Sequence, residues 1–170
     1  MPHPSEWRDV LDHAATVGVS VYLEIGVNLG YTMKEFAVAF PSSRLIGVEI
    51  DTKYPPPTET VEMIYGDSHS EATRLSVMHK LAGDSVDFLH IDGDHSEGGA
   101  FSDWYMYAPL VRPGGIVAID DISMPSVRRT VDVISKGRRR VDCVIPGGGV
   151  GEALIWIPGP EGTCRFRGLT

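Results

Sequence analysis

Residues 87–122 read DFLHIDGDHSEGGAFSDWYMYAPLVRPGGIVAIDDI and carry two carboxylate clusters, Asp92-Gly93-Asp94-His95 and Asp120-Asp121, each directly after an apolar run. Buried strands end in charge only where the chain leaves the core. Acids that meet at one rim repel one another unless something positive stands between them. That pattern predicts a functional rim, and the remaining sequence has to supply the elements that build it.

Those elements alternate. Trp7, Val10, Leu11 and Ala14 recur at helical spacing and predict a short helix over 5–15. Residues 19–25 (VSVYLEI), 44–50, 61–65, 86–91 and 116–119 are short, rich in β-branched residues and bounded by turn formers, so each predicts a strand. Between them lie helical stripes: Met33, Phe36, Ala37 and Phe40; Leu75, Met78 and Ala82; Phe101, Trp104, Tyr105 and Ala108; and Val127, Val131 and Ile134. Residues 54–60 (YPPPTET) are expected as an extended surface loop, because consecutive prolines remove donors and fix φ. Residues 141–145 and 153–157 have no room for a helix between them and predict a hairpin around GGGVG. Such alternation predicts an α/β, Rossmann-like, doubly wound sheet of seven mostly parallel strands with a C-terminal antiparallel hairpin and helices on both faces. At 170 residues the chain is expected to form one domain, 1–170.

Ligands of open parallel sheets bind beyond the carboxyl ends of the strands. After the first strand stands Glu24-Ile25-Gly26-Val27-Asn28-Leu29-Gly30, an ExGxxxG turn in which Gly26 allows a tight bend and Gly30 leaves room at the start of the next helix. It is not GxGxxG, which weakens any reading as a pyrophosphate site. Glu49, 23 residues after Gly26, ends the second strand where an acid accepts hydrogen bonds from a ribose diol. Asp67 and Ser68 end the third, where Asp67 either holds an adenine amine or caps the next helix. In order, these three strand ends describe an adenosine site.

Composition narrows the partners. A net charge of -8 argues against a nucleic-acid partner, and the basic run at 136–140 (KGRRR) reads as a solvated helix end. No apolar run is long enough to span a bilayer and no signal peptide is visible in MPHPSEWRDV, so no membrane partner and a cytoplasmic location are expected. Cys143 and Cys164 fit neither a disulfide framework nor a zinc site.

ExGxxxG, GVEID, GDS, DFLHIDGDH and LVRPGGIVAIDD, in this order and spacing, resemble the class I S-adenosylmethionine-dependent methyltransferases. The paired IDGDH and IDD elements resemble more narrowly the metal-dependent O-methyltransferases of the catechol type and of the macrolide-sugar and cephalosporin-hydroxylase-like group. The resemblance implies S-adenosylmethionine as cofactor, surrounded by Glu24, Gly26, Asn28, Gly30, Glu49, Asp67, Ser68 and Asp92. It also implies a divalent cation on Asp92, Asp120 and Asp121, and three carboxylates without a thiol select magnesium, manganese or calcium. Such an ion would lower the pKa of an acceptor hydroxyl and fix its oxygen.

His95, three residues after Asp92, is expected to act with it as the catalytic pair, taking the acceptor proton; the competing reading is a histidine that caps the next helix. The sugar-modifying relatives have a histidine there and the catechol-type enzymes a lysine. Asp94 either touches substrate or metal or orients His95. His69 and His90 read as structural, although His69 follows the cofactor strand closely enough to line its pocket.

The chain departs from the pattern in having Asp120-Asp121 where relatives have Asp-Asn or Glu-Asp, and in offering only one short helix before the first strand. The acceptor pocket is then open, completed by a second copy in a homo-oligomer, or walled by the loop at 54–60 and the glycine-rich turn at 147–151. The expected acceptor is a small molecule bearing a hydroxyl, such as a sugar or natural product. Two rival readings are a non-catalytic S-adenosylmethionine-binding module and a nicotinamide-dependent oxidoreductase.

Overall fold

A computed structural model describes residues 4–96, 98–144 and 151–159. Helix α1 (Pro4–Val17) leads into β1 (Val21–Ile25), α2 (Tyr31–Ala39), β2 (Arg44–Glu49), β3 (Val61–Tyr65), α3 (Glu71–Leu81), β4 (Val86–Ile91) and α4 (Gly99–Tyr107). A short 3-10 turn, β5 (Val111–Ile119), α5 (Pro125–Ile134), β6 (Arg140–Val144) and β7 (Gly151–Trp156) follow. The seven strands lie in the order β3-β2-β1-β4-β5-β7-β6. The first five run parallel, and β7 is antiparallel to both β5 and β6. The expected doubly wound sheet and its terminal hairpin are therefore present. The GGGVG turn of that hairpin, apart from Gly151, lies outside the described residues, as do Ile145 and Cys164.

The winding reverses between β1 and β4. From β1 the chain moves outward through β2 to β3, then returns to lay β4 on the other side of β1, so the ends of Ile25 and Ile91 are register partners facing a common crevice. Alternate side chains of the strands feed two cores. One face holds Tyr22, Phe88, Ala118 and Leu154 under Trp7, Val10 and Ala14 of α1 and Met33 and Phe36 of α2. The other holds Leu23, Ile25, Leu89, Ile91, Val117 and Ile119 under Val77, Tyr107, Val127 and Val131 of α3, α4 and α5. Burial on both faces explains why the strands read as continuous apolar runs.

Two helices turn a different face inward from the one their apolar spacing predicts. In α3 the buried residues are Thr73, Val77 and Leu81, while Leu75 is 54% exposed. The Ser70 side chain caps the helix by accepting from Thr73 N–H at 3.2 Å, which fixes Thr73 on the inner side. In α4 Ala100, Asp103 and Tyr107 are buried and Phe101 and Tyr105 are exposed. The aromatic stripe mispredicts the face because the inner position is taken by a carboxylate, a residue type that pattern reading assigns to solvent.

The VRPGG segment at 111–115 belongs to β5. Val86 pairs with Val111 and Phe88 with Ile116, so the ladder absorbs the extra residues as a bulge. Arg112 Nε donates to Asp87, whose other oxygen accepts the N–H groups of Ser20 and Val21 at 2.8 Å each, stitching β1, β4 and β5 at the end opposite the crevice. The basic run closes α5: Arg138 Nη1 donates to the Ile134 carbonyl at 2.6 Å. Among the described residues no helix is long and apolar enough to cross a membrane.

Candidate functional site

The ladder hydrogen bonds continue one residue past the strand ends. Gly26 N–H donates to Val48, Gly66 N–H to Glu49, Asp92 N–H to Ile25 and Asp120 N–H to Ile91, at 2.9, 2.9, 2.9 and 3.0 Å. These bonds bring the turns after β1, β3, β4 and β5 into one wall. Gly26 has φ +88, and a Cβ there would lie 2.2 Å from the Asp92 carbonyl oxygen, so only glycine lets the two turns touch.

A cavity of about 490 Å³ opens above them, lined by Gly26, Asn28, Glu49, Ile50, Tyr54, Asp67, Ser68, His69, Asp92, Gly93 and Asp94 among others. That volume is ordinary for a small-molecule site. Glu49 is 5% exposed; one carboxylate oxygen accepts from Asn28 N–H at 2.7 Å and the other from Asp51 N–H at 2.9 Å. Each oxygen keeps a lone pair, so the group remains an acceptor for a ligand diol. Asn28 makes its contact by adopting φ 48, a left-handed conformation that asparagine tolerates. Asp67 accepts from His69 N–H at 2.9 Å in its own turn, and the cap of α3 is Ser70, not Asp67.

Two residues expected around the cofactor stand behind the wall. Glu24 is 0% exposed and accepts hydrogen bonds from Tyr22 Oη at 2.7 Å and from Thr32 Oγ1. It belongs to a buried polar chain in which His90 Nε2 meets Glu152 at 3.1 Å and His90 Nδ1 lies 3.9 Å from Glu24. Burial pushes the His90 imidazole down, but Glu152 and Glu24 together hold it well above the usual histidine range. Gly30 begins α2 with φ 66, and a Cβ there would lie 2.1 Å from Cγ of Pro57. The space left by its missing side chain is filled by the proline loop, and that loop brings Tyr54 to the cavity.

At the neighbouring rim the imidazole of His95 stands between two acids. Its Nε2 is 3.3 Å from Asp92 and its Nδ1 3.3 Å from Asp121. The approach to Asp92 is within ion-pair reach, although Nε2 lacks a well-aligned hydrogen-bond acceptor. Asp92 raises the His95 pKa, burial opposes, and Asp121 and Asp120 add to the rise. Asp120 is pushed up to about 8 by burial and by the nearby charges of Glu152 and Asp92. Asp121 has φ 57, and its N–H donates to Asp120 at 2.6 Å.

This arrangement differs from the metal trio expected on Asp92, Asp120 and Asp121. Among the described residues no group of three or more His, Cys, Asp or Glu side chains is placed to hold an ion. As they stand the three acids do not fit one, because the His95 ring occupies the space between Asp92 and Asp121. The protonatable ring of His95 stands between Asp92 and Asp121, and both acids favour its protonated form.

Ile50, Tyr54, Gly93 and Asp94 also line the cavity, and pattern reading assigned the cofactor to none of them. Ile50 is legible in principle, since the sequence sets it between two acids, Glu49 and Asp51, just past the strand end, and it is 71% exposed there.

Solved structures share this fold. The O-methyltransferase from Bacillus cereus in complex with SAH superposes with a TM-score of 0.70 at 17% identity, over 92% of this chain and 82% of that one. The O-methyltransferase TomG from Streptomyces achromogenes, involved in tomaymycin synthesis and solved in complex with SAM, gives 0.71 at 19% identity over 94% and 82%. None of the curated proteins shows significant sequence similarity to the chain. A methyltransferase-domain family model matches residues 23–122, which run from β1 to the second acid pair and make up more than half of the 170 residues; the chain belongs to that methyltransferase family.

Proposed function

We propose that the protein transfers the methyl group of S-adenosylmethionine to a hydroxyl oxygen of a small molecule, with His95 as general base. The observation that carries this reading is that one cavity joins Glu49 and Asp67, suited to an adenosine, to Asp92, which touches His95. The donor when bound supplies an electrophilic sulfonium methyl. Glu49 would accept from its ribose hydroxyls, and Asp67 would face its base. His95 would take the acceptor proton as the oxygen attacks; the new C–O bond forms while the C–S bond breaks with its electrons on sulfur. Asp92 and Asp121 then hold the resulting imidazolium.

A metal-assisted version, with magnesium, manganese or calcium on Asp92, Asp120 and Asp121, draws support from the crowding that lifts Asp120 to about 8. It requires His95 to move aside, and no step above depends on it. A small polyhydroxylated acceptor, and a second copy of the chain completing its pocket, belong to the same reading. A non-catalytic binding module would keep Glu49 and Asp67 but has no use for an imidazole set between two acids.

The test is incubation of the protein with S-adenosylmethionine and a panel of sugars, phenols and aliphatic alcohols. Mass spectrometry should find acceptors heavier by one methylene and S-adenosylhomocysteine in equal amount. Binding of S-adenosylmethionine with methylation only of nitrogen or carbon acceptors would contradict the choice of oxygen.

A further inference from the structure

The wall between α4 and the loop after β3 contains a carboxylate that the proposed chemistry leaves unused. Asp103 is 0% exposed, and neither of its oxygens has a well-aligned hydrogen-bond partner among the described residues. Burial raises its pKa, and Ser68 and His69 pull in the opposite direction. A carboxylate taken out of water without a partner is costly, so its surroundings should offer a hydrogen. On one side Gly93 leaves it room, since a Cβ there would lie 3.0 Å from Oδ2. On the other, Nε2 of His69 lies 3.4 Å from Oδ1.

His69 itself lines the cavity, with its side chain 32% exposed. A hydrogen on Nε2, turned toward Asp103, leaves Nδ1 bare as an acceptor in the neutral ring. Asp67 lines the cavity beside it and spends one oxygen on His69 N–H, at 2.9 Å, which leaves the other for a ligand. Tyr107 Oη donates to the Ser68 carbonyl at 2.8 Å and ties this loop to the helix that carries Asp103. The strand end therefore offers two acceptors side by side.

We infer that His69 reads the exocyclic amine of an adenine ring through Nδ1, and that Asp103 is the positioning residue fixing the tautomer that makes Nδ1 an acceptor. The amine has two hydrogens, one for Asp67 and one for His69. The pair makes the cavity select a 6-amino purine over a 6-oxo purine. The inference rests on the reading of the cavity as an S-adenosylmethionine site.

Calorimetry with S-adenosylhomocysteine and its 6-oxo analogue, S-inosylhomocysteine, tests it. Wild type should prefer the adenosyl compound by about tenfold or more, the worth of one or two hydrogen bonds. Asp103→Asn presents an amide hydrogen to Nε2, moves the ring hydrogen to Nδ1 and turns an acceptor into a donor, so the preference should shrink by about tenfold or invert. His69→Phe keeps a ring but no acceptor, so its preference for the adenosyl compound should shrink to the share that Asp67 alone carries. An unchanged preference in a folded Asp103→Asn or His69→Phe protein would overturn the inference, as would a wild type that binds both compounds equally. A wild type that binds neither would instead refute the cofactor reading on which it rests.

Discussion

Nε2 of His95 lies 3.3 Å from a carboxylate oxygen of Asp92, three residues earlier on the loop that leaves β4. The contact joins the two halves of the site, because Asp92 also lines the cavity that holds Glu49 and Asp67. A ring braced in this way, with Asp121 3.3 Å from its other nitrogen, is oriented and its protonated form is favoured.

His95→Ala should lower turnover by about 10²- to 10⁴-fold, the usual range for a lost general base, with S-adenosylhomocysteine affinity little changed. Since the acids raise the His95 pKa and a base must be unprotonated, wild-type turnover should rise with pH through a midpoint above about 6.5, the ordinary imidazole value. The pH-rate profiles of the two proteins check this. Curves of the same shape and height would remove His95 from the role.

His95 stands 3.3 Å from both Asp92 and Asp121, so a dication held by these two acids would compete with the imidazole. His95→Ala, treated with chelator and titrated calorimetrically, should therefore bind Mg²⁺ more tightly than wild type does. Equal or tighter binding by wild type, together with loss of methyl transfer in chelator, would favour the metal-assisted version.

Asp120 should make stability fall as pH rises. Its folded pKa, about 8, lies above the unfolded carboxylate value, so the penalty for its charge is absent in acid and grows between about pH 4 and pH 8. Asp120→Asn should accordingly raise the melting temperature at pH 8.5 and leave it nearly unchanged at pH 4. Equal gains at both values would locate the effect elsewhere.

Gly26→Ala should cost about 3 kcal/mol or more, because the residue combines φ +88 with a backbone oxygen 2.2 Å from the new Cβ. Denaturant unfolding gives the number. A loss below about 1 kcal/mol would mean that the turns after β1 and β4 separate easily.

The strand ends were legible in the sequence because each follows an apolar run and carries a residue that does not belong in a core: Glu49, Asp67, Asp92 and Asp120. What the sequence hides is direction. Glu24 sits in the ExGxxxG turn yet its strand position aims it behind the wall at Thr32 and Tyr22. Gly30 is read as a ligand's opening, but the partner it accommodates is Pro57, 27 residues on, and no local pattern announces that packing. Asp103 stayed hidden for the opposite reason. An acid among aromatic residues on a helix is assigned to solvent, and only the tertiary position of α4 against Gly93 and His69 turns it inward.

Binding of S-adenosylmethionine through Glu49 in the cavity at the ends of β1 to β4 is measured most directly by isothermal titration of wild type and Glu49→Ala with S-adenosylhomocysteine. Wild type should show a single site, and Glu49→Ala an affinity about ten- to a hundredfold weaker, the cost of charge-assisted hydrogen bonds to the ribose. No binding of S-adenosylhomocysteine by wild type, with tight binding of NAD instead, would contradict the S-adenosylmethionine reading.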